Sequence, residues 1–447
     1  MDYVTTYCSK YVVNILKDIN SGIGASNSDE FTVMGSTLYF KATDGSNGVE
    51  LWRSDGTTES TVMVKDIYSG ATSSWPGHLT TVGSTLYFKA TDSSNGVELW
   101  KSDGTASGTM LVKDIRSGAG SSNPSKFTAV GSTLYFRATD GVNGDELWKS
   151  DGTASGTVMV KDIRSGASHS SPLYLTAVGS TLYFVANDGI TGTELWKSDG
   201  TTAGTVMVKD IKSGASGSWP EQLTVVGSTL YFQADDGISG YELWKSDGTT
   251  AGTVLVKDIN SGDFDSYPNQ LTAMGSTIYF QASDGSSGFE LWKSDGTTAG
   301  TVLVKDINSG SGGSYPYSFT LIGSTLYFVA NDDISGYEVW KSDGTTAGTM
   351  LVKDIRSGAS DSDPAYFTVM GSTLYFQAND GTNGIELWKS DGTAAGTVMV
   401  KDIRSGASSS DPEDLTVIGS TLYFNSYDTV SGRELRMMNI EHTITYN

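Results

Sequence analysis

Apolar and polar residues alternate along this chain in short bursts, and four such bursts stand in a row between residues 30 and 67. The first is Phe31-Thr32-Val33-Met34, and Gly35-Ser36-Thr37 then makes a tight turn. The second is Leu38-Tyr39-Phe40-Lys41-Ala42, followed by the loop Asp44-Gly45-Ser46-Asn47-Gly48. The third is Val49-Glu50-Leu51-Trp52-Arg53, and residues 54–60 (SDGTTES) turn the chain into the fourth, Thr61 to Ile67. β-Branched and aromatic residues fill the bursts, while Gly, Asp, Ser and Asn fill the gaps, as strands and turns require. No segment sustains apolar residues at helical spacing, so no helix is expected.

The four bursts recur with a period of 48 residues. The octapeptide ELWKSDGT begins at Glu98, Glu146, Glu194, Glu242, Glu290 and Glu386, with near-copies at Glu50 (ELWRSDGT) and Glu338 (EVWKSDGT). At Glu434 the chain reads ELRMMNIE instead. The tripeptide KDI keeps the same beat from Lys17 to Lys401, and GST from Gly35 to Gly419. All eight prolines share one phase, from Pro76 to Pro412, with Ser28 there in the first copy. Four antiparallel strands in about 40–50 residues make one blade of a β-propeller. The expected fold is therefore all-β: a single nine-bladed β-propeller of four-stranded antiparallel blades, one domain over residues 1–447. The alternative is an open repeat array. Length alone would admit about three domains, but no linker interrupts the beat. Residues 1–19 are expected to supply the closing strand, around Val12–Ile19. Residues 434–447 are expected to form degenerate strands, with His442–Tyr446 a weak fourth one. One terminal strand would then be surplus, free to pair with a second molecule.

The octapeptide resembles the ELWxxDGT repeat of long, mostly bacterial, secreted or surface repeat proteins. The resemblance spans essentially the whole chain. It implies a repeat architecture, an extracellular or cell-surface setting, and no assigned chemistry. The turn Ser54-Asp55-Gly56-Thr57 also resembles the sialidase Asp box, S-x-D-x-G-x-T, a structural turn between the third and fourth strands of propeller blades.

If that turn joins strands three and four, Glu50 opposes Lys65 and Trp52 opposes Met63, pairing opposite charges and stacking an indole on a polarizable side chain. Asp55 and Gly56 suit the hairpin. Asp66 reads as a strand-end residue bonding backbone. Asp44, Glu50 and their repeats are weak calcium candidates, since Asp, Glu and loop carbonyls are hard oxygen ligands. The spacing is not that of an EF-hand, and the competing reading is a capped Asp-Gly turn. No other cofactor is expected.

Composition narrows the functions. A formal net charge of −22 repels nucleic acid phosphates and anionic membranes. No apolar run approaches the ~18 residues of a membrane span, and the N-terminal segment shows no signal peptide pattern. With one cysteine, Cys8, no intrachain disulfide can form; Cys8 reads as a strand residue or as an intermolecular contact. The three histidines, His78, His169 and His442, fall at unrelated phases. With no Cys/His cluster and no phosphate-cradling Gly loop, no enzyme is expected.

The two connections that hold the residue before the proline phase and the residue before the octapeptide Glu vary between copies. Aromatic residues gather there: Trp75, Trp219, Tyr241, Tyr267, Phe289, Tyr315 and Tyr337. They form the candidate binding face, for a glycan or a surface protein. The leading expectation is a non-catalytic extracellular structural protein that self-assembles through its terminal strands. The alternative is a carbohydrate- or protein-binding propeller.

Overall fold

A computed structural model describes the backbone of residues 5–446 and the side chains of residues 10–441. The described residues form β-strands, turns and loops, with no helix. The strands make nine four-stranded antiparallel sheets, the blades of a nine-bladed β-propeller. In the first blade Asp29–Met34, Thr37–Thr43, Val49–Ser54 and Val62–Lys65 pair in chain order. By its contacts the chain falls into two compact units, residues 1–79 with 352–447, and residues 80–351.

In the second unit the period-2 alternation of the second strand sets the packing. Along Thr133–Thr139, Leu134, Phe136 and Ala138 face the preceding blade, where Tyr87, Leu99, Val112 and Ile115 meet them. Tyr135 points the other way, into the next cluster with Leu182, Phe184 and Ala186. Each sheet is thus buried on both faces, and the core is a series of layers between blades. Blade spacing is also fixed by polar links such as Thr128 Oγ1, which donates to the Leu175 carbonyl at 3.1 Å.

Strands three and four pair with one irregularity. Trp52 lies opposite Met63, but a β-bulge between Leu51 and Trp52 places Lys65 opposite Leu51, not Glu50. The expected Glu50–Lys65 pair does not form, because the extra residue in the fourth strand shifts the register by one. A second bulge, between Asp29 and Thr32, puts Glu30 in the left-handed region at φ 61°.

The first unit carries both chain ends in one sheet. Its strand order is Thr5–Ile15, Gly432–Tyr446, Thr421–Asp428, Glu413–Ile418. The terminal strands pair from Thr5↔Tyr446 to Ile15↔Arg436. Residues 442–446 therefore continue the third strand and do not fold back as a fourth. No terminal strand is surplus in the sheet. The pairing of Gly432–Tyr446 with its other neighbour stops at Met438↔Leu422, so beyond it the two end segments pair only with each other. The side chains of Cys8 and His442 lie outside the described ones.

Candidate functional site

The octapeptide is best understood at one junction of the second unit. Trp148 is buried against the preceding blade, and Leu147 against the following one. Lys101 Nζ donates to the Gly152 carbonyl of the next blade at 2.8 Å, and Lys161 Nζ donates to Thr205 O at 2.8 Å. The same ammonium sits 5.7 Å from the ring centroid of Trp196, a cation–π contact. Asp151 Oδ1 accepts from the Thr153 N–H and Oγ1 at 2.8 and 2.7 Å; these bonds, the side-chain one foremost, hold its carboxyl below the usual range. Gly152 needs its missing Cβ twice over. Its φ is +89°, and an added Cβ would lie 2.5 Å from the Tyr87 hydroxyl of the preceding blade. Gly56 stands in the same relation to Tyr423.

The octapeptide glutamate is fully buried in all nine copies. Glu146 accepts from the Ile163 N–H at 2.9 Å, the Ser170 N–H at 3.0 Å and Ser170 Oγ at 2.6 Å. It ties the loop after the fourth strand back to the third. Burial, opposed by these hydrogen bonds, pushes its pKa up to about 7. Glu50 makes the equivalent bonds to Ile67 and Ser74. Asp44 is engaged elsewhere: its carboxylate accepts from the Ser46 and Asn47 N–H groups at 2.9 Å and from Asn47 Nδ2 at 2.7 Å. The two calcium candidates thus serve separate loops. Among the described residues no three His, Cys, Asp or Glu side chains converge as metal ligands would. Asp66 Oδ2 accepts the Gly70 N–H at 3.1 Å, closing the turn after the fourth strand.

The candidate binding residues divide. Tyr241, Tyr267 and Phe289 line one cavity of about 440 Å³, together with Glu221, Gln233, Asn269 and Gln281. It lies between two adjacent blades of the second unit. The Tyr241 and Tyr267 rings stack at 5.6 Å with 19° between planes, and Tyr315 packs on Phe289 at 5.5 Å. Gln233 Nε2 donates to Glu221 Oε2 at 3.0 Å. Tyr337 packs instead on Tyr317, and Trp219 bonds the Ser216 carbonyl through Nε1. Trp75, 61% exposed, belongs to the other unit. None of the polar members, Glu221, Gln233, Asn269 and Gln281, is among the residues expected from the sequence, although the position of Gln233 and Gln281 varies between copies, from Lys41 to Val185 to Asn425.

The residue before the proline phase has an unexpected backbone. Trp75, Trp219, Tyr267 and Tyr315 all have φ between 47° and 51°. Asn, Asp and Gly take that region most easily. All nine copies share it, from Asp411 at 46° to Trp75 at 51°, so it belongs to the blade, and the bulky aromatics are held there under strain.

No family model matches the sequence, and no curated protein matches it. Solved structures do. The computationally designed Ika8 protein is 13% identical, with 82% of this chain and 98% of that one covered and a TM-score of 0.45. A puromycin hydrolase S511A mutant complexed with PGG is 14% identical, with 84% and 60% covered and a TM-score of 0.39. The beta-propeller domain of the Trilobed protease from Pyrococcus furiosus is 11% identical, with 74% and 98% covered and a TM-score of 0.38. At this similarity none of them bears on what the chain does.

Proposed function

We propose that this protein is a non-catalytic carbohydrate-binding propeller, with its sugar site in the cavity of Tyr241, Tyr267 and Phe289. One observation carries the reading: an aromatic platform and planar polar groups share a single cavity of about 440 Å³. The apolar face of a pyranose stacks on aromatic rings, and its hydroxyls take paired bonds from amides and carboxylates. Gln281, Asn269 and the Gln233–Glu221 pair offer both donors and acceptors for that purpose. The extracellular setting implied by the ELWxxDGT resemblance belongs to the same reading.

The test is a glycan-array screen of the wild type, followed by calorimetry on the best hit with Tyr267→Asn and Gln281→Ala. Binding is expected in the wild type and lost by at least about tenfold in Tyr267→Asn, ~1.4 kcal/mol. An array with no signal, or equal affinity in the variant, would sink the proposal.

A second reading is self-assembly as a surface scaffold. The end segments that pair only with each other favour it, because their outer edges are open to strand addition. Deleting residues 1–10 or 439–447 and finding the particle size by light scattering unchanged would dismiss it.

A further inference from the structure

The sugar-site positions recur in the first unit with different chemistry. Glu413, Asn425 and Arg433 stand four periods after Glu221, Gln233 and Tyr241, and Asn27 and Asp29 stand five periods before Tyr267 and Asn269. Here too they line a cavity, of about 430 Å³, with Ser28, Tyr366, Asp414 and Tyr427. Its aromatic platform is replaced by charge.

That charge does not balance. Arg433 is committed to Glu413 in an ion pair and lies over the Tyr427 ring at 4.9 Å. Lys41 is committed to Asp29 at 2.9 Å. Asp414 is left with a neutral donor, Asn425 Nδ2, at 2.6 Å. Burial first, then the charges of Asp29 and Glu413, push its pKa up to about 6, against the pull of Asn425 and Arg433. Tyr366 faces Asp414 and Glu413 from the neighbouring blade. Two more acceptors in the lining are unsatisfied: Asn425 Oδ1 and Ser28 Oγ have no hydrogen-bond partner, and both residues are only 1% exposed. Buried oxygens without partners are costly. A third carboxylate, an amide oxygen and a hydroxyl, with tyrosines on the flank, ask for a ligand that donates hydrogen bonds and carries positive charge.

We propose that this groove of the last blade binds a small organic ammonium ion, with Asp414 as its counter-ion and Tyr366 as its cation–π wall. An ammonium supplies three donors on one compact charge. The site is independent of the sugar site in the other unit.

The experiment is calorimetry on the full chain with glucosamine and ethanolamine as ammonium probes, N-acetylglucosamine and glucose as neutral counterparts, and calcium chloride as the competing cation. Both ammonium probes are expected to bind saturably and the neutral sugars not to bind at this groove. Asp414→Asn should weaken ethanolamine at least about tenfold, ~1.4 kcal/mol, while Tyr267→Asn should leave it unchanged. The affinity of ethanolamine, which stays protonated throughout, should fall as pH drops from about 8 to about 5, because Asp414 takes a proton in place of the ligand. If Asp414→Asn does not fold, Tyr366→Ala, an exposed position, serves with the same probes and the same expected loss. Absence of saturable ammonium binding, equal affinity in these variants, binding without pH dependence, or a response to calcium in place of the amines would overturn the proposal.

Discussion

The buried octapeptide glutamates should make this protein less stable as pH rises from about 5 to about 8. The pKa values of Glu146, Glu194, Glu242, Glu290 and Glu434 are pushed up to about 7, from 4.5 for the free side chain. Between those values the folded chain holds more protons than the unfolded one, so unfolding releases protons and is favoured by higher pH. Above the folded pKa the loss is complete. For one glutamate the rise from 4.5 to about 7 corresponds to about 3 kcal/mol. Glu242→Gln isolates one such group. Glu242 Oε2 accepts from the Ile259 N–H at 2.9 Å and Ser266 Oγ at 2.7 Å, while Oε1 accepts from the Asn260 N–H at 3.3 Å. Glutamine can keep the two stronger bonds through its oxygen, but its Nε2 then faces the Asn260 N–H, costing about 1 kcal/mol. The variant should be less stable than wild type by about that much near pH 5, and more stable by about 2 kcal/mol near pH 8. Urea unfolding at several pH values, followed by tryptophan fluorescence, measures the difference. Self-repulsion of the net charge of −22 and the titration of Asp414 are common to both proteins and largely cancel. A difference that is independent of pH, or that moves in the opposite direction, would refute the reasoning.

Other outcomes follow from the junctions and the strained positions. Gly152→Ala should cost about 2–4 kcal/mol, from left-handed strain and overlap with the Tyr87 hydroxyl; in a Tyr87→Phe background the urea midpoint should fall less. Trp244→Ala, at a 5% exposed side chain packed on Tyr183 and Leu195, should cost about 3–5 kcal/mol by the same measurement. Tyr267→Asn should leave stability within about 1 kcal/mol of wild type, since relief of left-handed strain offsets the lost ring stack; a larger loss would mark Tyr267 as a packing residue. Removing residues 1–10 leaves buried Val13 and Leu16 in place and should preserve the fold, whereas removing residues 1–19 should expose the last blade to limited proteolysis.

The blade was legible because one strand, one turn and one period repeat without slippage. Trp52 opposite Met63 could be read from the turn alone. The partner of Glu50 could not, because its donors, Ile67 and Ser74, sit 17 and 24 residues away in a loop beyond the fourth strand. A bulge also leaves no mark in an alternating pattern, so Lys65 was placed opposite the wrong residue. The loop aromatics point to the cavity of Tyr241, Tyr267 and Phe289, but its Gln233 and Gln281 lie on the second strand, where variation between copies is the available sign. The left-handed backbone before proline runs against local preference, and only the folded blade reveals it. The charged groove left a fainter trace: Asn425 and Arg433 stand at positions that vary between copies, and neither residue type recurs there.

Within the second unit the bonds across the junctions run from one copy to the next with identical partners: Lys161 to Thr205, Lys209 to Thr253, Lys257 to Thr301. A recombination event that removes or adds 48 residues in register within this run rejoins a lysine to the threonine it would have met anyway. Change by whole blades therefore leaves these junction bonds intact, while a single-residue slip breaks them. Lineages of such a gene should vary in steps of one blade, with innovation confined to the few positions that line the grooves.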